Sequence, residues 1–318
     1  MRKYFLILIL ILILISSSRA FCEDNLKDNW QLDKYDLKRA LKNNFNPPDK
    51  LRPDLNLEPI EDLGVIRRVN LHDKNLKAAA VTFDMCELDT NTSGCDMDTL
   101  KFLLGNNIKA TLFMGGKWMR THERRVKQIM LEPELFEIAN HNWSHGNCAI
   151  MPRDKLEEQI LWTQAQFELT QASLNNNKNN LQQIPVLFRL PYGRNSESAL
   201  KIISSLGLKV IQWDVAIGEA NNLNLKNARR NAQQVSRAVR PGSILLFHAN
   251  LVPKGTANLI KELIKILKSQ GYEFVTVSEL LQLGEPECVR IGYFNRPGDN
   301  VYLDKKFGTY GTGLKIKK

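Results

Sequence analysis

No two cysteines in this 318-residue chain are spaced as CxxC; the five stand at positions 22, 86, 95, 148 and 288. That absence argues against a cysteine zinc site, and the odd count leaves at least one thiol over if the others pair. Histidine is scarce too, with five in the whole chain. No internal repeat is present, and one low-complexity patch, Asn175 to Asn180, reads as a surface loop. No apolar run reaches the ~20 residues that a comfortable membrane span needs. The run from Phe5 to Ile15 instead follows Arg2 and Lys3 and precedes Ser16 to Ala20. A charged start, a short apolar stretch and a small-x-small exit at Ser18 and Ala20 describe a secretory signal cleaved after Ala20. The chain is therefore expected to be exported, to a periplasmic or extracellular place. It would touch a membrane only if that segment stayed uncleaved as an anchor.

Basic charge is present but not concentrated. Of the formal net charge of +10, Arg2, Lys3 and Arg19 supply three, and the rest is dispersed apart from Lys315, Lys317 and Lys318. A nucleic-acid binder would gather its cations on one motif with interleaved aromatics, so no nucleic-acid partner is expected. With 43% apolar and 25% charged residues the chain can bury a real core. Oxidising surroundings would allow one or two disulfides, with Cys86 bonded to Cys95, Cys148 or Cys288 among the options.

Residues 21–76 are polar, with Pro47, Pro48, Pro53 and Pro59, and read as an extension wrapped over a larger body. From Lys77 the pattern becomes regular. Apolar, strand-like runs occur at Ala78–Phe83, Ala110–Met114, Phe136–Ala139, Val186–Leu190, Val210–Trp213, Ile244–Phe247 and Phe274–Val277. Amphipathic segments separate them, among them Thr99–Leu104, Lys155–Leu174, Ser196–Leu206 and Asn258–Lys268. Such alternation implies parallel strands with helical crossovers. The expected fold is α/β: a distorted (β/α) barrel of about seven parallel strands over residues 77–283, with irregular extensions at 21–76 and 284–318.

A parallel barrel gathers its site at the carboxyl ends of its strands. Reading each run to its end finds Asp84, His141, Arg189, Asp214 and His248, five polar groups at successive strand exits. Each alone reads as a cap or turn residue, but buried charge in series is costly without partners. His141 and His145 lie four apart in His-Asn-Trp-Ser-His. On a helical turn that spacing sets both imidazoles on one face, close enough to chelate a divalent metal. His248 is placed for a general acid, a third metal ligand or a satisfied core histidine. Arg189 needs a carboxylate neighbour, and the turn Pro191-Tyr192-Gly193 offers N–H groups to a developing oxyanion.

In order, Thr82-Phe83-Asp84, His141-Asn142-Trp143-Ser144-His145, Arg189-Leu190-Pro191-Tyr192-Gly193, Trp213-Asp214 and Leu246-Phe247-His248 resemble the polysaccharide deacetylases of carbohydrate esterase family 4, the group with the NodB homology domain. The resemblance covers about Lys77 to Leu283. It implies hydrolysis of N-acetyl or O-acetyl groups on a polysaccharide, in a site holding a divalent metal of the Zn2+ kind. It makes His141 and His145 metal ligands, Asp84 the base, His248 the acid, Arg189 the residue that orients Asp84, and Tyr192 the place of an oxyanion donor. Two positions depart from the pattern. The family's metal-binding aspartate falls on Met85, so Glu87 reaches in, or Asp84 ligates, or the metal keeps more open positions; Glu87 is the first candidate. The aspartate that pairs with the arginine falls on Glu219, and Asp214 becomes a supporting residue. Related folds also host metal amidohydrolases acting on small cyclic amides or imides. Met85 further raises a catalytically weakened carbohydrate-binding protein as a reading.

Overall fold

Strand–helix alternation builds one curled sheet, which the computed structural model describes through residues 30–32, 36–37, 46–48, 57–88, 92–174, 182–216, 227–252 and 255–306. Its strands are β1 (Val65–Leu71), β2 (Ala78–Met85), β3 (Ala110–Met114), β4 (Phe136–Asn140), β5 (Leu187–Phe188), β6 (Lys209–Ile211), β7 (Val215–Ala216), β8 (Ile244–His248), β9 (Glu273–Val275) and β10 (Gly284–Val289). They lie in the order β10-β1-β6-β5-β4-β3-β2-β8-β7, with β9 beside β2. Every pairing is parallel except β1 with β10. The sheet nearly closes on itself where β1 meets the start of β8, through an Arg68–Ser243 bridge and the Val69 N–H bonded to Gly242 O at 2.9 Å. Gly242 permits that seam: its φ is +86°, and a Cβ there would stand 1.8 Å from Val69 O.

The seven anticipated runs are all strands, β2 to β6 with β8 and β9. β1 and β10 lie in the segments read as irregular extensions. Their signal is weak for physical reasons. β1 carries Arg67 and Arg68 and a register shift between Ile66 and Arg68, which breaks its alternation. β10 is an edge strand, the one place where a sheet tolerates Pro286. The helices anticipated in sequence are present as Met97–Gly105, Arg153–Ala172, Glu197–Ser205 and Thr256–Ser269. Asp96 caps the first through the Thr99 N–H (3.1 Å), and Ser196 caps the third through the Ala199 N–H (3.2 Å). None of the described helices is long and apolar enough to cross a membrane. The segment read as a secretory leader, residues 1–20, lies outside the described residues.

Because side chains alternate along a strand, each strand feeds two cores. Ala78, Ala80, Phe113, Ala139, Ile211 and Leu246 form one cluster, enclosed by the curled sheet. Val81, Phe83, Met85, Met114, Ile138 and Phe247 join another with helix residues such as Trp118 and Ile129. Position parity thus decides which residues look into the barrel. On β2 the even positions do, and on β4 the odd ones.

Candidate active site

That parity carries Asp84, His141, Arg189 and His248 onto the inner face at the carboxyl end of the sheet. Asp84 and His248 are direct neighbours in the parallel register of β2 and β8. His141 follows β4 and Arg189 follows β5, each by one residue. Asp214 does not share this end. Its carboxylate accepts from Ser243 Oγ (2.8 Å) and the Ile244 N–H (2.9 Å), at the beginning of β8 rather than at its end. It pins the strand, as a supporting residue does.

Arg189 is fully buried, and its guanidinium is engaged on all sides. Nη1 donates to Asp84 Oδ1 (2.9 Å) and Thr82 Oγ1 (2.7 Å), Nη2 to Gln212 O (3.0 Å), and Nε to Ile211 O (3.3 Å). The Phe113 ring lies 3.8 Å beneath the cation. Burial lowers the Arg189 pKa, and Asp84 pulls it back up. A charge held this way is rigid, and it leaves Asp84 Oδ2 facing the mouth. Glu219, anticipated as a further partner of Arg189, lies outside the described residues.

The histidine pair sits on an irregular loop, not on a helical turn. Asn142 and His145 both adopt left-handed conformations, at φ +66° and +58°. Such φ values are strained for residues other than glycine and tend to collect at functional sites. Here they turn the rings to 4.9 Å between centroids, edge to face. Neighbours hold the loop. Gln159 Oε1 accepts from the Ser144 N–H (2.9 Å) and Oγ (3.1 Å), and the Gly116 and Lys117 N–H groups cap Asn142 O and Trp143 O. A Cβ on Gly116 would lie 2.2 Å from the Trp143 ring, so the indole seats only against glycine.

His141 Nδ1 lies 3.0 Å from Arg189 O, so it carries the proton and donates. That tautomer turns the Nε2 lone pair toward Asp84 Oδ2 at 3.5 Å. Two acceptors facing each other call for a cation between or beside them. His141 Nε2 and His145 Nδ1 are both buried without a hydrogen-bond partner. Burial lowers the His141 pKa, against the raising pull of Asp84, and lowers that of His145 further, with His141 adding to the effect. Neutral, buried, unpartnered imidazole nitrogens are the form that takes a divalent metal, so the residues fit one.

The expectation for Glu87 needs correcting. Glu87 is buried, but Oε1 accepts from the Ser93 N–H (3.0 Å) and Oε2 from Thr121 Oγ1 (2.9 Å), with His122 Nδ1 at 3.8 Å from Oε1. It shares the outward parity of Met85. Among the described residues, the metal-competent atom grouped with the pair is Cys86 Sγ: it and one ring nitrogen from each of His141 and His145 lie within 4.8 Å of one another. Reading the strand two by two from Asp84 would have found it. The lack of a CxxC spacing hid it, because its partners are histidines supplied by another strand end. Burial, then Asp84 and Glu87, push the Cys86 thiol pKa well above its ordinary value. Cys86, Cys95, Cys148 and Cys288 are all free thiols, so the anticipated disulfides are absent among the described residues.

Tyr192 completes the mouth. It has φ +59° and lays its ring 4.4 Å from that of His145, edge to face. The Gly193 and Arg194 N–H groups are used inside the turn, on Leu190 O (3.0 Å) and Pro191 O (3.1 Å). The C-terminal segment ties this turn down, which the sequence did not suggest. Asn300 Nδ2 donates to Tyr192 O (3.1 Å) and Gly193 O (2.9 Å), while Asp304 accepts from Arg194 Nε (3.0 Å) and Asn147 Nδ2 (2.8 Å).

Comparison with known proteins finds polysaccharide deacetylases. The profile of the polysaccharide deacetylase family matches residues 72–211. A peptidoglycan-N-acetylglucosamine deacetylase of Listeria monocytogenes is 31% identical over 217 residues, covering 67% of this chain. The chain spans 41% of that relative's length. Among solved structures, a family 4 acetyl xylan esterase of Clostridium thermocellum in complex with cobalt is 27% identical at a TM-score of 0.52, covering 65% of this chain and 91% of its own. A pseudoenzyme of Bacillus anthracis shares the fold at 23% identity and a TM-score of 0.55, over 71% of this chain and 70% of its own.

Proposed function

From its membership of the polysaccharide deacetylase family, carbohydrate esterase family 4, we propose that this chain hydrolyses N-acetyl groups on a cell-envelope glycan, outside the cytoplasm, with a divalent metal in its site. The observation that carries this reading is the divided carboxylate of Asp84, with Oδ1 held by Arg189 at 2.9 Å and Oδ2 open toward His141 at 3.5 Å.

A carboxylate fixed on one side by a buried cation keeps its other oxygen aimed, which is what a general base requires. Asp84 Oδ2 takes a proton from the attacking water as its oxygen bonds to the acetyl carbon. His248, the register neighbour of Asp84, acts as the acid and gives a proton to the amine nitrogen as the carbon–nitrogen bond breaks. Acetate and a free amine leave. The oxyanion donor belongs to the Pro191–Gly193 turn, at Tyr192 as the family resemblance implies. His141 and His145 would hold the metal, which supplies Lewis acidity toward the acetyl carbonyl.

Export rests on the Arg2–Ala20 leader, and a glycan outside the cytoplasm is the substrate such a leader makes reachable. The test is acetate release by the purified chain from acetylated peptidoglycan, chitin oligosaccharide and acetylated xylan, each with and without chelator. Chelator-sensitive release from the N-acetylated glycans is expected. Release from xylan alone would move the assignment to an esterase, and none from any glycan would sink it.

A further inference from the structure

The aspartate that the family pattern places on Met85 has no counterpart on that side of the strand. Met85 is fully buried among the residues that face the helices. One residue further the chain turns back to the inner face, and Cys86 brings Sγ, His141 and His145 into one group within 4.8 Å. Two independent features say that this group is built to receive something. His141 is completely buried and its Nε2, turned inward by the Nδ1 bond to Arg189 O (3.0 Å), has no hydrogen-bond partner. The buried Nδ1 of His145 has none either. Cys86 is itself supported: Asn250 Nδ2 donates to Cys86 O (2.9 Å) and lies 3.6 Å from Sγ, a contact that favours negative charge on sulfur. Gly115 keeps the approach narrow, since a Cβ there would lie 3.5 Å from Cys86 Cα and 3.3 Å from Asn142 O.

We propose that Cys86 Sγ is the third ligand of the metal site, so that this chain binds its metal through one thiolate and two imidazoles rather than through a carboxylate. The proposal rests on the reading that His141 and His145 hold a metal. On binding, the Cys86 thiol gives its proton to solvent and the sulfur lone pair forms the bond to the metal. Three protein donors match a catalytic zinc site, which keeps a position open, rather than a closed structural one. A soft donor also sets the preference: thiolate and imidazole favour zinc and cobalt over magnesium and manganese, which prefer oxygen. Asp84 stays free of the metal, on Arg189.

Cobalt(II) added alone to the chelator-stripped full chain distinguishes the possibilities. Thiolate ligation gives a near-ultraviolet sulfur-to-cobalt charge-transfer band, which nitrogen and oxygen ligands do not. The wild type is expected to show that band, to lose it in Cys86→Ser and Cys86→Asp, and to keep it in Cys148→Ser. Cys86→Asp should still take up cobalt, with visible d–d bands and an unchanged unfolding temperature. It therefore serves as the reporter should Cys86→Ser fold poorly. Cobalt bound by the wild type without the charge-transfer band, or a band that survives Cys86→Asp, overturns the role of Cys86 and leaves the histidine pair standing. Failure of the wild type to bind cobalt or zinc in equilibrium dialysis overturns the metal reading and this proposal together.

Discussion

Two carboxylate–imidazole pairs stand on opposite sides of the end of β2, built from residues three apart. On the inner side Asp84 faces His141 at 3.5 Å, and on the outer side Glu87 faces His122 at 3.8 Å. Both imidazoles donate to a backbone carbonyl through Nδ1, His141 to Arg189 O and His122 to Trp118 O (3.1 Å). The difference lies in what surrounds them. Each oxygen of Glu87 is taken, by Ser93 and Thr121, and His122 stacks flat on Trp118 at 4.5 Å. The inner pair keeps Asp84 Oδ2 open beside His141, with a second histidine and a thiol within reach. A carboxylate beside a histidine is therefore no sign of chemistry on its own. A cluster of ligand atoms around one point is.

That comparison can be broken most severely at Arg189. Arg189→Ala leaves Asp84 buried without its counter-charge and should cost about 3–5 kcal/mol of stability, read by urea unfolding. An unchanged midpoint would mean that water already screens the pair. His248→Ala should lower turnover by roughly 10²–10⁴-fold, as removal of a general acid does, with zinc content and unfolding temperature unchanged. Loss of zinc in that variant would make His248 a ligand instead. On the outer side, Glu87→Gln weakens the bonds to Ser93 and Thr121 and should cost about 1–3 kcal/mol. Its metal content should not change; a drop would restore Glu87 as a ligand.

The smallest effect is expected at the rim. Burial works to raise the Asp304 pKa, but bonds from Arg194 and Asn147 outweigh it and hold the carboxyl below its usual 3.8. A depressed carboxylate pKa stabilises the fold above the unfolded value and loses that contribution as pH falls through the folded one. Asp304→Asn should thus be less stable at neutral pH by about 1 kcal/mol or less, the group being partly open to solvent. The gap should close on acidification toward pH 3, as followed by thermal unfolding. A gap that persists in acid would assign the loss to packing.

Most of the barrel was legible because its strands are short apolar runs, and Asp84, His141, Arg189 and His248 mark the ends of four of them. β1 and β10 were not legible. A bulged strand with two arginines and an edge strand with a proline carry little periodic signal, and their pairing is made with distant partners. The metal side of the site was half legible. His141 and His145 announce themselves by spacing, though the helical turn that spacing suggests proved to be a loop with two left-handed residues. Cys86 went unread because a family pattern drew attention to Met85 and then to Glu87, while strand alternation pairs Asp84 with Cys86.

Local order along the chain determined the strands, the helices between them and the set of polar groups at the strand ends, since hydrophobic period and capping act over a few residues. Only the tertiary structure decided which of those groups meet. Curling the sheet placed β2 between β3 and β8, set Arg189 beneath Asp84, and closed His141, His145 and Cys86 into one cluster. It also laid the C-terminal segment across the Tyr192 turn. Those are contacts between residues far apart in the chain, Asn147 and Asp304 for example being 157 positions apart. They exist because burial makes each polar atom find a partner in space, whatever its place in the chain.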